Sequence, residues 1–255
     1  MKSKKKNIEN KMDKKRKVDL IYHMVIVGLL AIMAFSAWRI GLILWEYHKG
    51  TAAYEEIQKI AGGAGAAAEQ TNFDALRKKN PDIRAWLYSE GTPINYPVVQ
   101  GVDNQYYLDH MFNGEYNGKG SLFIDYRCEK PFEEFNTIIY GHRMKDGSMF
   151  HELIGYQDRD YFEEHPVMAL TTPGRKYDLQ IFAVVIIPAD SKLYRIRFSG
   201  KVDREAYLDK ILAISEVDTG ISVSPEDHIV MLSTCTYEYD DARLVVYDKL
   251  SKSES

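Results

Sequence analysis

The sequence predicts a mainly β fold, an all-β barrel or sandwich carrying a few helices. Two observations lead there. Between residues 94 and 250 seven short apolar runs, rich in Val, Ile, Tyr and Phe, are separated by turn residues. The same stretch has only two segments with helical i, i+3, i+4 apolar spacing, so strands do not alternate with helices as a parallel α/β sheet requires. A chain of 255 residues that is 45% hydrophobic is long enough for one such core and short for two catalytic domains.

Residues 1–19 form a basic tail, holding nine of the 33 Lys/Arg (Lys2, Lys4, Lys5, Lys6, Lys11, Lys14, Lys15, Arg16 and Lys17) and only Glu9, Asp13 and Asp19 as acids. That stretch carries +6, leaving 24 basic against 34 acidic residues, or −10, for the remainder. An acidic remainder would repel a phosphate backbone, so the tail does not point to nucleic acid. It abuts instead LIYHMVIVGLLAIMAFSAWRIGLILW (20–45), in which only His23 and Arg39 can carry positive charge. Such a run spans a hydrocarbon core of roughly 30 Å. Lys/Arg on its N-terminal side, Trp38 and Trp45 at the far end and no small-residue cleavage site read as an uncleaved signal anchor. The expectation is a single-pass cell-membrane protein with a cytoplasmic N-terminus and residues 46–255 outside, Arg39 snorkelling to the outer interface.

Residues 46–71 carry helix formers interrupted by Gly62, Gly63 and Gly65, which suits an extracellular spacer. The folded domain, 72–255, is expected to begin with a short helix from Phe73 to the Asn80–Pro81 pair. The strand-like runs are INYPVVQ (94–100), SLFIDY (121–126), NTIIYGH (136–142), VMALTT (167–172), YDLQIFAVVII (177–187), HIVMLSTC (228–235) and RLVVYDKL (243–250). The helical segments are MFHELIGY (149–156) and DREAYLDKILAIS (203–215), the second with Ala206, Leu208, Ile211 and Leu212 at core spacing.

The chemistry-bearing candidates are few. Cys235 ends one strand-like run, His142 ends another, and Arg243 follows the cysteine by eight positions. Taken singly, each has a plainer explanation: a free Cys is usually a small buried hydrophobe, and His142 and Arg243 read as surface or strand-edge groups. Together they suit nucleophilic catalysis. A thiol needs a nearby cation or base, an imidazole supplies that and later protonates a leaving amine, and a guanidinium can hydrogen-bond an oxyanion. At their ordinary values of ~8.5 and ~6.5, a thiol and an imidazole titrating independently would be a charged pair only ~1% of the time at pH 7.5, so modest turnover is expected.

Residues 72–250 resemble the class B sortases. The resemblance rests on MLSTC (231–235), Arg243 opening RLVVYDKL, NTIIYGHRM (136–144), and INYPVVQG with YYLDH (94–110). Met231 stands where the family usually has Thr, and its side chain is expected to pack inward. The resemblance implies a sortase-type eight-stranded β-barrel with N-terminal helices and an inserted helix before the cysteine strand. It implies Cys235 as nucleophile, His142 as general acid/base and Arg243 as stabiliser of substrate and oxyanion, with Asn95, Tyr140, Ser233 and Thr234 lining the peptide groove and no metal or cofactor. The implied activity is cysteine transpeptidation: cleavage after Thr in a C-terminal sorting motif of Asn-Pro-x-Thr or Ser/Leu-Pro-x-Thr type, through a thioacyl enzyme. The protein is then transferred to an amine of a peptidoglycan precursor in a Gram-positive cell wall, so the partners are secreted proteins with sorting signals.

Three other readings stay open on the residues alone. Water could resolve the acyl enzyme, making a membrane-tethered cysteine peptidase. Cys128 and Cys235, the only two cysteines, could be a redox pair in a sensor module. A metal could sit between His142, Cys235 and one of His110, His151 or His165, although no paired ligand spacing occurs. Asp240–Asp241 reads as a solvated turn that orients Arg243.

Overall fold

Short β-branched and aromatic runs bury both faces only if the sheet they form closes or is covered. In the computed structural model, which describes residues 2–62, 71–236 and 238–253, eight strands close into a barrel in the order β1-β2-β3-β4-β7-β8-β6-β5. They are β1 (Ile83–Tyr88), β2 (Asn95–Val99), β3 (Leu122–Ile124), β4 (Asn136–Tyr140), β5 (Val167–Thr172), β6 (Arg175–Pro188), β7 (His228–Cys235) and β8 (Ala242–Lys252). The expected β-barrel is therefore present. Seven strands coincide with the runs read from the sequence. The eighth, β1, was not legible as a run because Arg84 interrupts its apolar pattern and the register shifts between Ile83 and Ala85.

Most neighbours are antiparallel, but β2 pairs with β3 and β4 with β7 in parallel. The parallel β4/β7 contact matters most, because it sets the ends of two strands remote in sequence side by side. The interior is filled by side chains such as Leu87, Leu122, Ile139, Val184, Leu232 and Val246, all wholly buried, each contributing about 2 kcal/mol of burial. Met231 is also wholly buried.

Helix α1 runs from Lys2 to Ala61. The chain divides into two compact units, Met1–Lys49 and Gly50–Ser255. In the first, the apolar side chains between Leu20 and Trp45 are exposed apart from the half-buried Ile26, and the helix is long and apolar enough to cross a membrane. In the second, the last turns of α1 pack on the barrel: Tyr54, Ile57 and Ala61 are buried, at helical spacing. Tyr54 meets the rings of Tyr96 and Phe112, both at 5.2 Å, and Gln58 Nε2 donates to the Asn95 carbonyl at 2.9 Å. The folded unit thus starts at Gly50, ahead of the Asn72 start read from the sequence. Gly63 and Gly65 lie outside the described residues.

Helix α2 (Phe73–Lys79) starts at Asn72, whose side chain accepts from Ala75 N, and stops at Asn80. Two short helices, α3 (Tyr106–Asp109) and α4 (Arg159–Glu164), have no long apolar period and were not anticipated. The segment read as helical at 149–156 is a 3-10 helix, His151–Gln157. The inserted helix, α5 (Lys201–Ala213), lies between β6 and β7 and buries Tyr207, Leu208 and Ile211, while Ala206 and Leu212 remain exposed.

Candidate active site

Cys235 closes β7 and stands opposite Arg243 on β8. Thr236 N donates to Ala242 O at 3.1 Å, so the alternation of the antiparallel ladder makes Cys235/Arg243 a non-hydrogen-bonded pair, the position at which facing side chains come closest. One Nη of Arg243 donates to the Ala242 carbonyl at 3.0 Å, tethering a guanidinium fork whose other N–H groups remain for a ligand.

His142 arrives from β4. Tyr140 pairs with Ser233, and Gly141 N donates to Ser233 O at 3.1 Å. Carried two residues further, the same offset points toward Cys235, and both residues line one cleft. Gly141 has no room for a side chain: a Cβ would lie 2.4 Å from Leu122 Cδ2 and 2.5 Å from Phe150 Cδ2. The imidazole is held from behind, its Nε2 lying 2.6 Å from the Leu108 carbonyl.

Cys235, His142 and Arg243 line one cleft of about 360 Å³, together with Tyr140, Ser233 and Thr234. Its wall is a connected polar and aromatic stack. Ser233 Oγ and the Tyr194 hydroxyl are 2.8 Å apart, and Tyr194 stacks on Tyr140 at 6.0 Å. The Tyr140 hydroxyl donates to Asp125 Oδ2 at 3.0 Å, and Asp125 receives the Arg127 fork at 2.9 and 2.7 Å. Burial works to raise the Asp125 carboxyl, but the Arg127 hydrogen bonds outweigh it and hold the group below the usual carboxylate range. Burial pushes the Tyr194 phenol up to about 12, with the Ser233 bond and the positive field of Arg243 opposing it. Thr234 is 2% exposed and its hydroxyl has no partner.

Asn95 is not at this cleft. Its side chain accepts from Trp86 Nε1 at 2.7 Å and its carbonyl from Gln58, so it pins β1, β2 and the end of α1 together. Sequence reasoning missed Asn104, Leu108, Arg127 and Tyr194, which line the cleft. Leu108 falls inside YYLDH, which was noticed only as a stretch. Tyr194 sits in the irregular connection after β6, where no periodicity marks a function.

The second cysteine has a different environment. Cys128 is 1% exposed and burial pushes its thiol up to about 12, while both cysteines are free. A redox pair is not formed between them. Among the described residues no group of three or more His, Cys, Asp or Glu is arranged to hold a metal. His110 instead stacks on Tyr106 at 4.1 Å and bonds Asp109, and His165 packs against Tyr161 at 4.7 Å.

Comparisons with known proteins converge on one family. The sortase domain model matches residues 87–251. Sortase B of Listeria monocytogenes is 37% identical over 230 residues, covering 87% of this chain and 93% of the relative. Sortase B of Staphylococcus aureus is 31% identical over 234 residues, covering 90% and 96%. The solved Staphylococcus aureus sortase B–substrate complex superposes with a TM-score of 0.76 at 32% identity, over 82% of this chain and all of that one. With the barrel, the cysteine strand and its facing arginine, these matches show that the chain belongs to the sortase family as a class B, sortase-type cysteine transpeptidase.

Proposed function

We propose that Cys235, His142 and Arg243 carry out the transpeptidation on a C-terminal sorting peptide. The thiolate of Cys235 adds to the carbonyl of a Thr, and Arg243 hydrogen-bonds the oxyanion that forms. The tetrahedral centre collapses to a thioester as the C–N bond breaks, and His142 gives the leaving amine its proton. An acceptor amine then adds to the thioester, loses a proton to His142 and expels the Cys235 thiolate. Because the thioester retains the acyl-transfer potential, the new amide forms without a nucleotide cofactor. The single observation that carries this reading is the pairing of Cys235 with Arg243 at the strand end where His142 also arrives.

Tyr140, Ser233 and Thr234, with Asn104, Leu108 and Tyr194, form the surface against which the peptide is held. Asn95 contributes from a distance, by fixing the register of β1 and β2. The acceptor in this reading is an amine of the cell-wall precursor, and the cargo is secreted proteins bearing sorting signals. The basic tail, the apolar 20–45 segment and its aromatic end support a single-pass anchor with the tail cytoplasmic and the barrel outside.

The test is to incubate the protein with Asn-Pro-x-Thr and Ser/Leu-Pro-x-Thr peptides and a glycyl amine, and to follow the products by mass spectrometry. An amide-linked product that needs Cys235 is expected. Hydrolysis alone with every amine offered, or undiminished product with Cys235→Ala, would overturn the proposal.

A further inference from the structure

The histidine of this site is held by a chain of contacts that begins in the helix preceding the barrel. Tyr54, 4% exposed, donates its hydroxyl to the Gly120 carbonyl at 2.6 Å. Gly120 has φ +57, and a Cβ there would lie 2.5 Å from the Leu108 oxygen and 2.7 Å from the Tyr107 oxygen. The segment at 120 therefore lies directly on the backbone of residues 107 and 108, and Ser121 N donates to Tyr107 O at 3.0 Å. Two further bonds close the loop on itself: Ser121 Oγ donates to His110 O at 3.0 Å, and Asn117 N to Asp109 O at 2.9 Å. The Leu108 carbonyl so placed is the one 2.6 Å from His142 Nε2.

A carbonyl oxygen only accepts, so Nε2 carries a proton in this contact, and Nδ1 is the nitrogen with a free lone pair in the neutral ring. We propose that Tyr54 and Gly120 are positioning residues for His142. The end of α1 fixes the 107–121 loop, and its Leu108 carbonyl locks the imidazole in the Nε2–H tautomer. Nδ1 is then the atom that exchanges protons with the Cys235 thiol and the leaving amine. The proposal rests on the reading of His142 as the acid/base group. It makes the helix ahead of the barrel part of the catalytic apparatus rather than a tether. A backbone carbonyl serves here as the orienting partner that a carboxylate provides in a Ser-His-Asp triad, and it cannot be removed by a side-chain substitution. Its position can be moved only through what packs on it, which is why Tyr54 and Gly120 are informative.

The experiment uses the full-length chain in detergent and compares wild type, Tyr54→Phe, Gly120→Ala and His142→Ala. Tyr54→Phe keeps the ring against Tyr96 and Phe112 and deletes only the hydroxyl. Steady-state kcat and KM are measured across pH, and imidazole ¹⁵N shifts are assigned to His142 by their loss in His142→Ala. Tyr54→Phe is expected to lower kcat about fivefold, the worth of one hydrogen bond, with KM unchanged and the pH profile of kcat displaced. Gly120→Ala is expected to lower kcat about a hundredfold, as a displacement near 1 Å does, and to mix the His142 tautomers. A wild-type ¹⁵N pattern with the proton on Nδ1 would overturn the proposal. So would folded Tyr54→Phe with a wild-type kcat and pH profile, even if its melting temperature fell. Should Gly120→Ala not fold, the ¹⁵N pattern and Tyr54→Phe decide. Full activity of His142→Ala would instead sink the acid/base reading itself, whereas an inactive His142→Ala beside an unaffected Tyr54→Phe sinks only this inference.

Discussion

Cys235 and Arg243 face each other across the β7/β8 ladder at a non-hydrogen-bonded position, next to the backbone bond from Thr236 N to Ala242 O. The pairing is a backbone register, so hydrogen bonds between strands set the Arg243 side chain beside Cys235, and a bond to the Ala242 carbonyl tethers its guanidinium. Replacing Arg243 by Ala is expected to lower kcat about 10²–10³-fold, the usual cost of one oxyanion donor. Arg243→Lys keeps the charge but loses the fork, so it should recover only part of that loss. Peptide-cleavage kinetics on both variants check this, and equal activity of all three proteins would exclude an oxyanion role.

The two cysteines should separate cleanly by reactivity. Cys235 is partly exposed at the cleft, whereas burial pushes the Cys128 thiol up to about 12. Iodoacetamide is expected to label Cys235 alone in the folded protein and both residues in denaturant, read by peptide mass mapping. Rapid native labelling of Cys128 would contradict the burial argument.

Asn95 should behave as a structural residue. Asn95→Ala removes the acceptor of the Trp86 indole N–H and leaves the cleft walls untouched. A loss of about 1–2 kcal/mol in denaturant midpoint analysis is expected, with KM for the peptide unchanged. A rise in KM without loss of stability would return Asn95 to the groove.

Asp125 links Arg127 to Tyr140 with its carboxyl held below the usual range. A lowered value stabilises the fold above the unfolded carboxylate range near ~3.9, and that stability is lost as pH falls through the lower folded value. Asp125→Asn is therefore expected to reduce the melting temperature by several degrees at pH 7, at about 2–4 °C per kcal/mol, with the difference shrinking in acid. A pH-independent difference would show that shape, not charge, matters at this position.

Asp248 should show the opposite sign. It is wholly buried on β8 with neither oxygen partnered, and burial raises its carboxyl far above the ordinary value. A raised value means that stability is fully present below the unfolded value near ~3.9 and is lost as pH rises from there toward the folded value. Asp248→Asn removes that loss, and is expected to raise the melting temperature by several degrees at pH 8 and hardly at all at pH 4, by calorimetry. No gain at pH 8 would mean that the carboxyl is not neutral in the barrel.

Much of this was legible in the chain itself, and the division follows from what each kind of signal encodes. Local apolar patterning determined seven of the eight strands, the α5 segment and the exposed apolar helix, because burial on one face or all round leaves a period that adjacent residues carry. The MLSTC, GHR and Arg243 pieces supplied the chemistry and the family. Only the tertiary structure decided which of those pieces meet. His142 and Cys235 line one cleft because β4 lies parallel to β7 in one register out of many, and a shift of a single residue would turn a strand's side chains to the other face. The same through-space logic put Asn95 under Trp86 instead of in the cleft, brought Tyr194 from an unpatterned loop onto Ser233, and set Tyr54 behind the loop that holds His142. Strand order and register are long-range properties that no window of neighbouring residues contains.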